Sequence, residues 1–386
     1  MIVLKDKQQC CGCSACAQVC PKKCIAMQPD EEGFLYPQID QAACIECGLC
    51  EKVCPMLQFP AEDTNSQPKA YAAYNKDEAT RLESSSGGVF TLLALQTLKN
   101  GGAVFGAALS ADCKSVHHTM VSCETDLAKL RGSKYLQSEI GACYEQAQAA
   151  LREGKPVLFS GTPCEIEGLK TFLRKDYDNL TCVDLICHGS PSQKLWEKYV
   201  EYRVAHKKHA VKSVTFRDKR NSWKNYEVCM NLTEGAEYRK PFYDETFMQM
   251  FLQDLCLRPS CYSCPFKKKN RVSDITLADF WGSGRVCPDM DDDKGLSLVI
   301  VHSVKGGKLL EDIKGKMELR EVPLEDALRG NPSMTHSCNK PAKRDEFMRN
   351  MPKMSISQLE KMYVKKPSLL AKMKRLMKKV LRAFIK

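Results

Sequence analysis

No window of this chain approaches 18 uninterrupted apolar residues, which argues against a membrane-spanning helix. The opening stretch MIVLKDKQQC lacks the apolar segment of a signal peptide, so the expected location is the cytoplasm. Acidic residues are missing from Val364 to Lys386, a stretch that carries nine Lys or Arg. Taking those nine from the net charge of +11 leaves only +2 for the rest of the 386 residues. So small an excess does not describe a body built to hold nucleic acid, and no such partner is expected. Hydrophobic content of 43% and charged content of 27% are ordinary for a globular protein, and the length allows two or three domains.

Cysteine is abundant, at 22 residues. A reducing compartment keeps thiols from pairing, so a dense pattern there binds metal more often than it forms disulfides. Cys10, Cys13, Cys16 and Cys20 follow the spacing Cys-x2-Cys-x2-Cys-x3-Cys and lead into Pro21. Cys44, Cys47, Cys50 and Cys54 repeat it ahead of Pro55. Two-residue gaps let a loop wrap a cubane and aim three thiolates at three irons, while the fourth cysteine points to the neighbouring cluster. Crossed ligation is therefore expected, with Cys10, Cys13, Cys16 and Cys54 on one 4Fe–4S cluster and Cys44, Cys47, Cys50 and Cys20 on the other. Zinc is the competing metal, but its sites favour two distant Cys-x2-Cys pairs. Cys11 and Cys24 fall outside the ligand spacing and read as small residues packed beside a cluster. Residues 1–58 resemble two-cluster bacterial ferredoxins, an α+β fold, with GFLYPQID as a short hairpin strand. A polar, proline-containing linker follows over 59–69.

Beyond the linker the order changes to strand–turn–helix. AYAAYNKD reads as a strand, and SSSGGVFTLLALQTLKNGGAVFGAAL as a turn, a helix from about Gly88 to Leu98 and a strand. GKPVLFSGTPCEIEGLKTFL and LTCVDLICHGSPSQKLWEKYVEYR repeat that order. An α/β domain with a largely parallel or mixed sheet is expected, its ligands at the carboxyl ends of the strands. Ser84, Ser85, Ser86, Gly87 and Gly88 precede a helix, where they either hold phosphate or merely cap it. Cys164 sits just inside a helix N-terminus, where a thiolate is favoured. Cys187 and His188 stand at a strand end. CLRPSCYSCPF supplies Cys256, Cys261 and Cys264, three thiols that need a fourth ligand from elsewhere, either Cys187 or Cys164. A structural zinc is a more serious rival at this group than at the N-terminus.

The segments SSSGGVF, SKYLQS, GTPCEIEGL, DLICHG, CYSCPFK and ITLADFWG occur in this order in the family of coenzyme F-420 hydrogenase/dehydrogenase beta subunits. The likeness runs from about Ala70 to Phe347, with 70–150 and 151–350 as the two parts of one beta-subunit-like domain. The chain most resembles bacterial members that carry a fused ferredoxin. This resemblance implies an FAD-dependent oxidoreductase with a third 4Fe–4S cluster beside the flavin. Carried over by position, Ser86, Gly87, Gly88, Lys134, Tyr135, Gly161 and Thr162 would line the FAD site, while Asp279 and Trp281 would close it. The implied activity is an electron relay between a one-electron partner such as ferredoxin and an organic acceptor, deazaflavin-like or an intermediate of polysaccharide assembly. The alternative is an electron-transfer subunit that docks on a catalytic partner and has no substrate site of its own. No catalytic residue is assigned.

The basic segment, within 351–386, places Leu369, Leu370, Met373, Leu376, Met377, Val380, Leu381, Phe384 and Ile385 on one helical face. Either it lies on an anionic membrane surface or it packs on the body or a partner.

Overall fold

The computed structural model describes residues 2–58, 67–205 and 209–365. The basic segment that follows Lys365 and most of the linker lie outside these residues. Among the described residues no helix is long and apolar enough to cross a membrane.

The N-terminal unit is small. Helices α1 (Ala15–Val19) and α2 (Leu49–Lys52) flank an antiparallel pair, β1 (Ile25–Pro29) and β2 (Leu35–Ile39), with Ile25 opposite Ile39. Each helix starts directly after a residue in the left-handed region, Ser14 and Gly48, within its cysteine run.

The body is built on one sheet of eight strands. In chain order these are β3 (Lys69–Asn75), β4 (Ala103–Leu109), β5 (Val116–Val121), β6 (Val157–Gly161), β7 (Leu180–Leu185), β11 (Ile275–Asp279), β12 (Ser297–Val301) and β13 (Met317–Val322). Between β7 and β11 stands a separate antiparallel sheet of β8 (Val211–Asp218), β9 (Glu227–Leu232) and β10 (Glu237–Pro241). The eight-stranded order is β13-β3-β12-β11-β7-β6-β4-β5. Only the central β11, β7, β6 and β4 run parallel, and every flanking pair is antiparallel, so the sheet is mixed. The physical reason lies in burial: VLFSG and LTCVDL are near-continuous apolar runs fit for a strand covered on both faces. Helices α5 (Cys143–Arg152) and α6 (Pro163–Leu173) cover one face and α4 (Val89–Lys99) packs on the other, while α3 (Glu78–Glu83) follows β3 and α7 (Gln193–Val204) packs in a separate core with β8 and β9. Helix α6 begins at Pro163 behind a Thr162/Glu165 capping box, and α7 behind the Ser192 cap, so both turns after the central strands are fixed locally.

The N-terminal unit is seated on the body by buried polar contacts. Arg258, 1% exposed, donates through Nε to the Cys10 carbonyl and through Nη2 to the Leu35 carbonyl, both at 2.8 Å. Its guanidinium also lies 4.4 Å from the Tyr36 ring centre. Arg344 holds Glu32 through two contacts of 2.6 Å, and Gln137 donates to the Cys11 carbonyl at 2.8 Å. Cys11, Cys13, Ala15 and Val53 share one apolar core with Tyr144, Phe159, Ile166 and Leu169 of the body.

Candidate iron–sulfur and cofactor sites

The two cysteine runs fold into two recesses. One is lined by Cys10, Cys13, Cys16 and Cys54, with Cys11 and Gly12 at its wall. The other is lined by Cys20, Cys44, Cys47 and Cys50, with Cys24 beside them. Each recess thus gathers three thiols of one run and the last thiol of the other, which is the crossed set that the spacing suggests. The physical cause is the pair of short helices, whose turns carry Cys20 and Cys54 away from their own runs. The Cys24 sulfur lies 3.4 Å from that of Cys20.

A third group of thiols forms in the body. Cys164 opens α6, Cys187 follows β7, and Cys261 and Cys264 come from the turn around Pro259–Ser263. Burial drives the Cys187 thiol well up, and Cys261, Cys164 and Cys264 add to that as its nearby charges. Burial lifts Cys261 to about 12 and Cys264 to about 11, with Cys164 acting on both. Thiols that resist ionisation chiefly because they are buried, and then because thiols stand near them, are a set that a cation would relieve. The Cys164 thiol is raised well up, first by the neighbouring Cys11 of the N-terminal unit and then by burial.

Cys256 is buried in the aromatic core with Trp196, Phe247 and Phe251, a core that Cys261 also packs against, and burial lifts it to about 12 with Arg344 and Asp254 as its charged neighbours. Both sequence candidates for a fourth ligand, Cys164 and Cys187, stand with Cys261 and Cys264.

The residues expected near a flavin fall into two neighbouring places. Gly161 and Thr162 form the turn at the end of β6, where the Thr162 N–H donates to Glu165 at 2.7 Å and its hydroxyl touches the Cys164 sulfur at 3.2 Å. That turn borders the third thiol group. The Ser84–Gly88 turn is occupied by the chain itself. The Ser84 hydroxyl donates to the Thr80 carbonyl, Ser85 accepts from the Ser133 N–H, Ser86 donates to the Leu296 carbonyl, and the Gly87 N–H donates to Ser297. Nor do the serines cap α4, because the cap is Gly88 in a left-handed conformation with no side-chain bond.

Behind this turn lies a group of buried cations that sequence reasoning missed. Lys219 donates to the carbonyls of Arg81, Ser86 and Lys294, each at 2.7 Å, and burial with Arg217 and Arg81 nearby lowers it to about 7. Arg217 has a side chain only 3% exposed and pairs with Asp279 through Nη1. Its Nε and Nη2 are buried without a hydrogen-bond partner. Its guanidinium lies 4.3 Å from the Tyr226 ring centre and 5.2 Å from that of Trp281, which stacks on Trp223 at 5.0 Å. The Tyr135 hydroxyl stands beside the same guanidinium. Lys134 is half-buried, its ammonium lowered to about 7 by loss of water, and it donates to the Arg131 carbonyl at 3.0 Å. The signal in the sequence is TFRDKR, a charge-rich end of β8 that reads as a solvated face until the fold buries it.

Two iron–sulfur recesses on a mixed α/β body with a third thiol group define an iron–sulfur protein of the oxidoreductase kind. Residues 9–57 match the 4Fe–4S dicluster domain, and residues 154–327 match the C terminus of the coenzyme F420 hydrogenase/dehydrogenase beta-subunit family. The two matches lie on the small N-terminal unit and on the second part of the body. Among solved structures it is similar to a chain of the F420-reducing [NiFe] hydrogenase complex from Methanosarcina barkeri, at 16% identity and a TM-score of 0.45, over 78% of this chain and 94% of that one. A search of curated proteins gives no match.

Proposed function

We propose that the chain is an iron–sulfur flavoprotein oxidoreductase that passes electrons between a one-electron partner such as ferredoxin and an organic acceptor. The observation that carries this reading is the clustering of Cys164, Cys187, Cys261 and Cys264 in the body, with Cys11 of the N-terminal unit beside Cys164. These four thiols are the proposed ligands of a third 4Fe–4S cluster, with Cys256 outside the set.

The buried residues fit an anionic cofactor such as FAD. Two guanidinium nitrogens of Arg217 without partners at 3% exposure are costly unless an acceptor fills the place beside them. Lys219 is a second buried cation at the same turn, while Lys134 and Tyr135 stand on the segment that follows Ser133. In this reading Arg217 takes the diphosphate or another anionic part of the cofactor. Tyr135 and the stacked Trp281 and Trp223 wall the site, and Gly161 and Thr162 lie on the side facing the thiol group. When bound, FAD supplies the exchange between single electrons and hydride. The acceptor, deazaflavin-like or a polysaccharide precursor, would reach the open ends of the central strands.

A second reading is favoured by one observation. The hydroxyls and the Gly87 N–H of the Ser84–Gly88 turn are spent within the chain, which suits an electron-transfer subunit that docks on a catalytic partner and binds no flavin. Anaerobic purification with iron analysis and acid release of flavin separates the two. About twelve irons and one FAD per chain support the enzyme, about twelve irons without bindable flavin support the subunit, and about eight irons remove the third cluster.

A further inference from the structure

A second group of potential metal ligands lies outside the four thiols just described. His188 follows Cys187 in the loop after β7, Asp254 follows helix α8 (Thr246–Leu252), and Cys338 comes from a loop near the C-terminal end of the body. The chain brings these three together from separations of 66 and 150 residues. His188 Nε2 stands 2.7 Å from Asp254 Oδ1, and the Cys338 sulfur stands 3.6 Å from the same nitrogen. One ligand atom from each residue lies within 4.8 Å of the others.

We propose that His188, Asp254 and Cys338 form a binding site for one divalent cation of the zinc class, with at least one coordination position left open. The donor set is one thiolate, one imidazole and one carboxylate, which selects a borderline metal over magnesium or calcium. The spacing agrees. Bonds of about 2.3 Å to sulfur and about 2.0 Å to nitrogen, set at a tetrahedral angle, place those atoms about 3.5 Å apart. The nitrogen–sulfur distance found is 3.6 Å, and the sulfur stands 3.7 Å from Nδ1 as well, so the imidazole would have to turn to aim Nε2 at a metal shared with Cys338. The shorter contact to the carboxylate is a hydrogen bond that the metal would replace, opening it by about 0.6 Å.

The three side chains are held in place by contacts of their own. Asp254 has a backbone φ of +60°, a left-handed conformation costly for a non-glycine residue, and the Tyr262 hydroxyl secures its carbonyl at 2.5 Å. The His188 ring packs edge-on against Phe251 at 5.1 Å. Lys267 donates to the carbonyls of Cys187 and His188 at 2.8 and 3.2 Å; the Cys338 thiol donates to the His188 carbonyl at 3.1 Å, a bond it would give up on binding a metal as thiolate. His188 and Asp254 have side chains 32% and 21% exposed, so a metal and a fourth ligand from solvent can reach them. Because His188 adjoins Cys187 and Tyr262 adjoins Cys261, the cation would sit against the third thiol group without sharing its ligands.

The test uses the full-length protein, purified anaerobically with its iron in place, treated with a mild chelator and then titrated with zinc alone. Metal analysis should give about one retained zinc per chain, with iron unchanged. Replacing zinc with cobalt(II) should give the visible bands of a tetrahedral site with a sulfur ligand. Cys338→Ser should abolish these bands while leaving iron at its wild-type level. Asp254→Asn, which preserves the hydrogen bond to His188, should weaken zinc at least about tenfold. Zinc retention equal in all three proteins, or no retention in the wild type, overturns the site. A loss of iron in Cys338→Ser overturns it too, because Cys338 would then belong to the cluster.

Discussion

Cys11 of the N-terminal unit lies beside Cys164 at the first turn of α6, close enough to raise the Cys164 thiol. Cys11 stands between Cys10 and Cys13, while Cys164 is one of the four thiols gathered in the body. The contact therefore brings the two cysteine groups together across the domain junction. It forms because α6 approaches the cysteine run closely at Gly168, and because Gly12 turns the run at a φ of +76° against Gln137 and Arg258.

The approach at Gly168 predicts a sharp size limit. A Cβ there would lie 2.8 Å from Cys13 Cβ, 2.9 Å from its sulfur and 3.0 Å from the Tyr144 hydroxyl. Since Cys13 is proposed to be fixed by a cluster, it has little room to yield. Gly168→Ala should destabilise the protein by about 1–3 kcal/mol and lower the iron bound to the dicluster domain. Anaerobic thermal melts with iron analysis check this; a wild-type melt and iron content would mean that the domain is not seated as described.

The placement of the cysteines predicts different fates for neighbours in sequence. Cys261→Ser should cost about four irons, as should Cys164→Ser and Cys187→Ser. Cys256→Ser should keep all the iron and lose only stability, because its thiol faces the core around Trp196. Iron content per chain, with electron paramagnetic resonance of the reduced protein, separates them. Loss of a cluster in Cys256→Ser would return that residue to the ligand set.

How far the sequence carries can be seen from these same residues. The dicluster spacing is local, so compact loops and their prolines reveal it without a fold. Strands β6 and β7 and their helices are legible for a similar reason: an apolar run ends at Thr162–Pro163 or at Ser192, residues that start helices. Cys256 reads as a partner of Cys261 because spacing says nothing of burial, and the fold sets Cys256 fully inside the core around Trp196. Cys338 offered no signal, since it meets His188 across 150 residues. The sheet of β8, β9 and β10 escaped notice because its short strands interrupt the strand–turn–helix order. Arg217 and Lys219 were hidden by their charge, because a run of cations reads as solvent-facing until tertiary packing closes over it.

Arg217 predicts the cofactor's affinity. Arg217→Lys keeps a cation beside Asp279 and removes the two unpartnered nitrogens from the site. FAD should then bind at least about tenfold more weakly, equivalent to losing about 1.4 kcal/mol from one charge-assisted hydrogen bond. Arg217→Met is the poorer probe, since a carboxylate left buried without its cation costs about 3–5 kcal/mol in its own right. Flavin fluorescence titration of the anaerobic protein measures the effect. An unchanged dissociation constant would remove Arg217 from the flavin reading.

Lys134 predicts how stability depends on pH. Loss of water lowers its ammonium from an ordinary 10.5 to about 7. Between those values the unfolded chain holds a proton that the folded chain has released. Folding therefore becomes more favourable as pH rises through this window, by up to about 1.4 kcal/mol per pH unit from this one group. Below pH 7 the folded protein carries the full penalty of a desolvated charge. Lys134→Met keeps the length of the side chain and removes the titration. The variant should be more stable than the wild type at pH 7, and its advantage should shrink steadily toward pH 10. Flavin-free protein, melted anaerobically at a series of pH values, reads that difference directly, and other titrating groups cancel in the comparison. An advantage that does not change with pH would mean that Lys134 keeps its ordinary proton affinity. In that case it reaches solvent, and its place in the wall of an anion site would be lost with it.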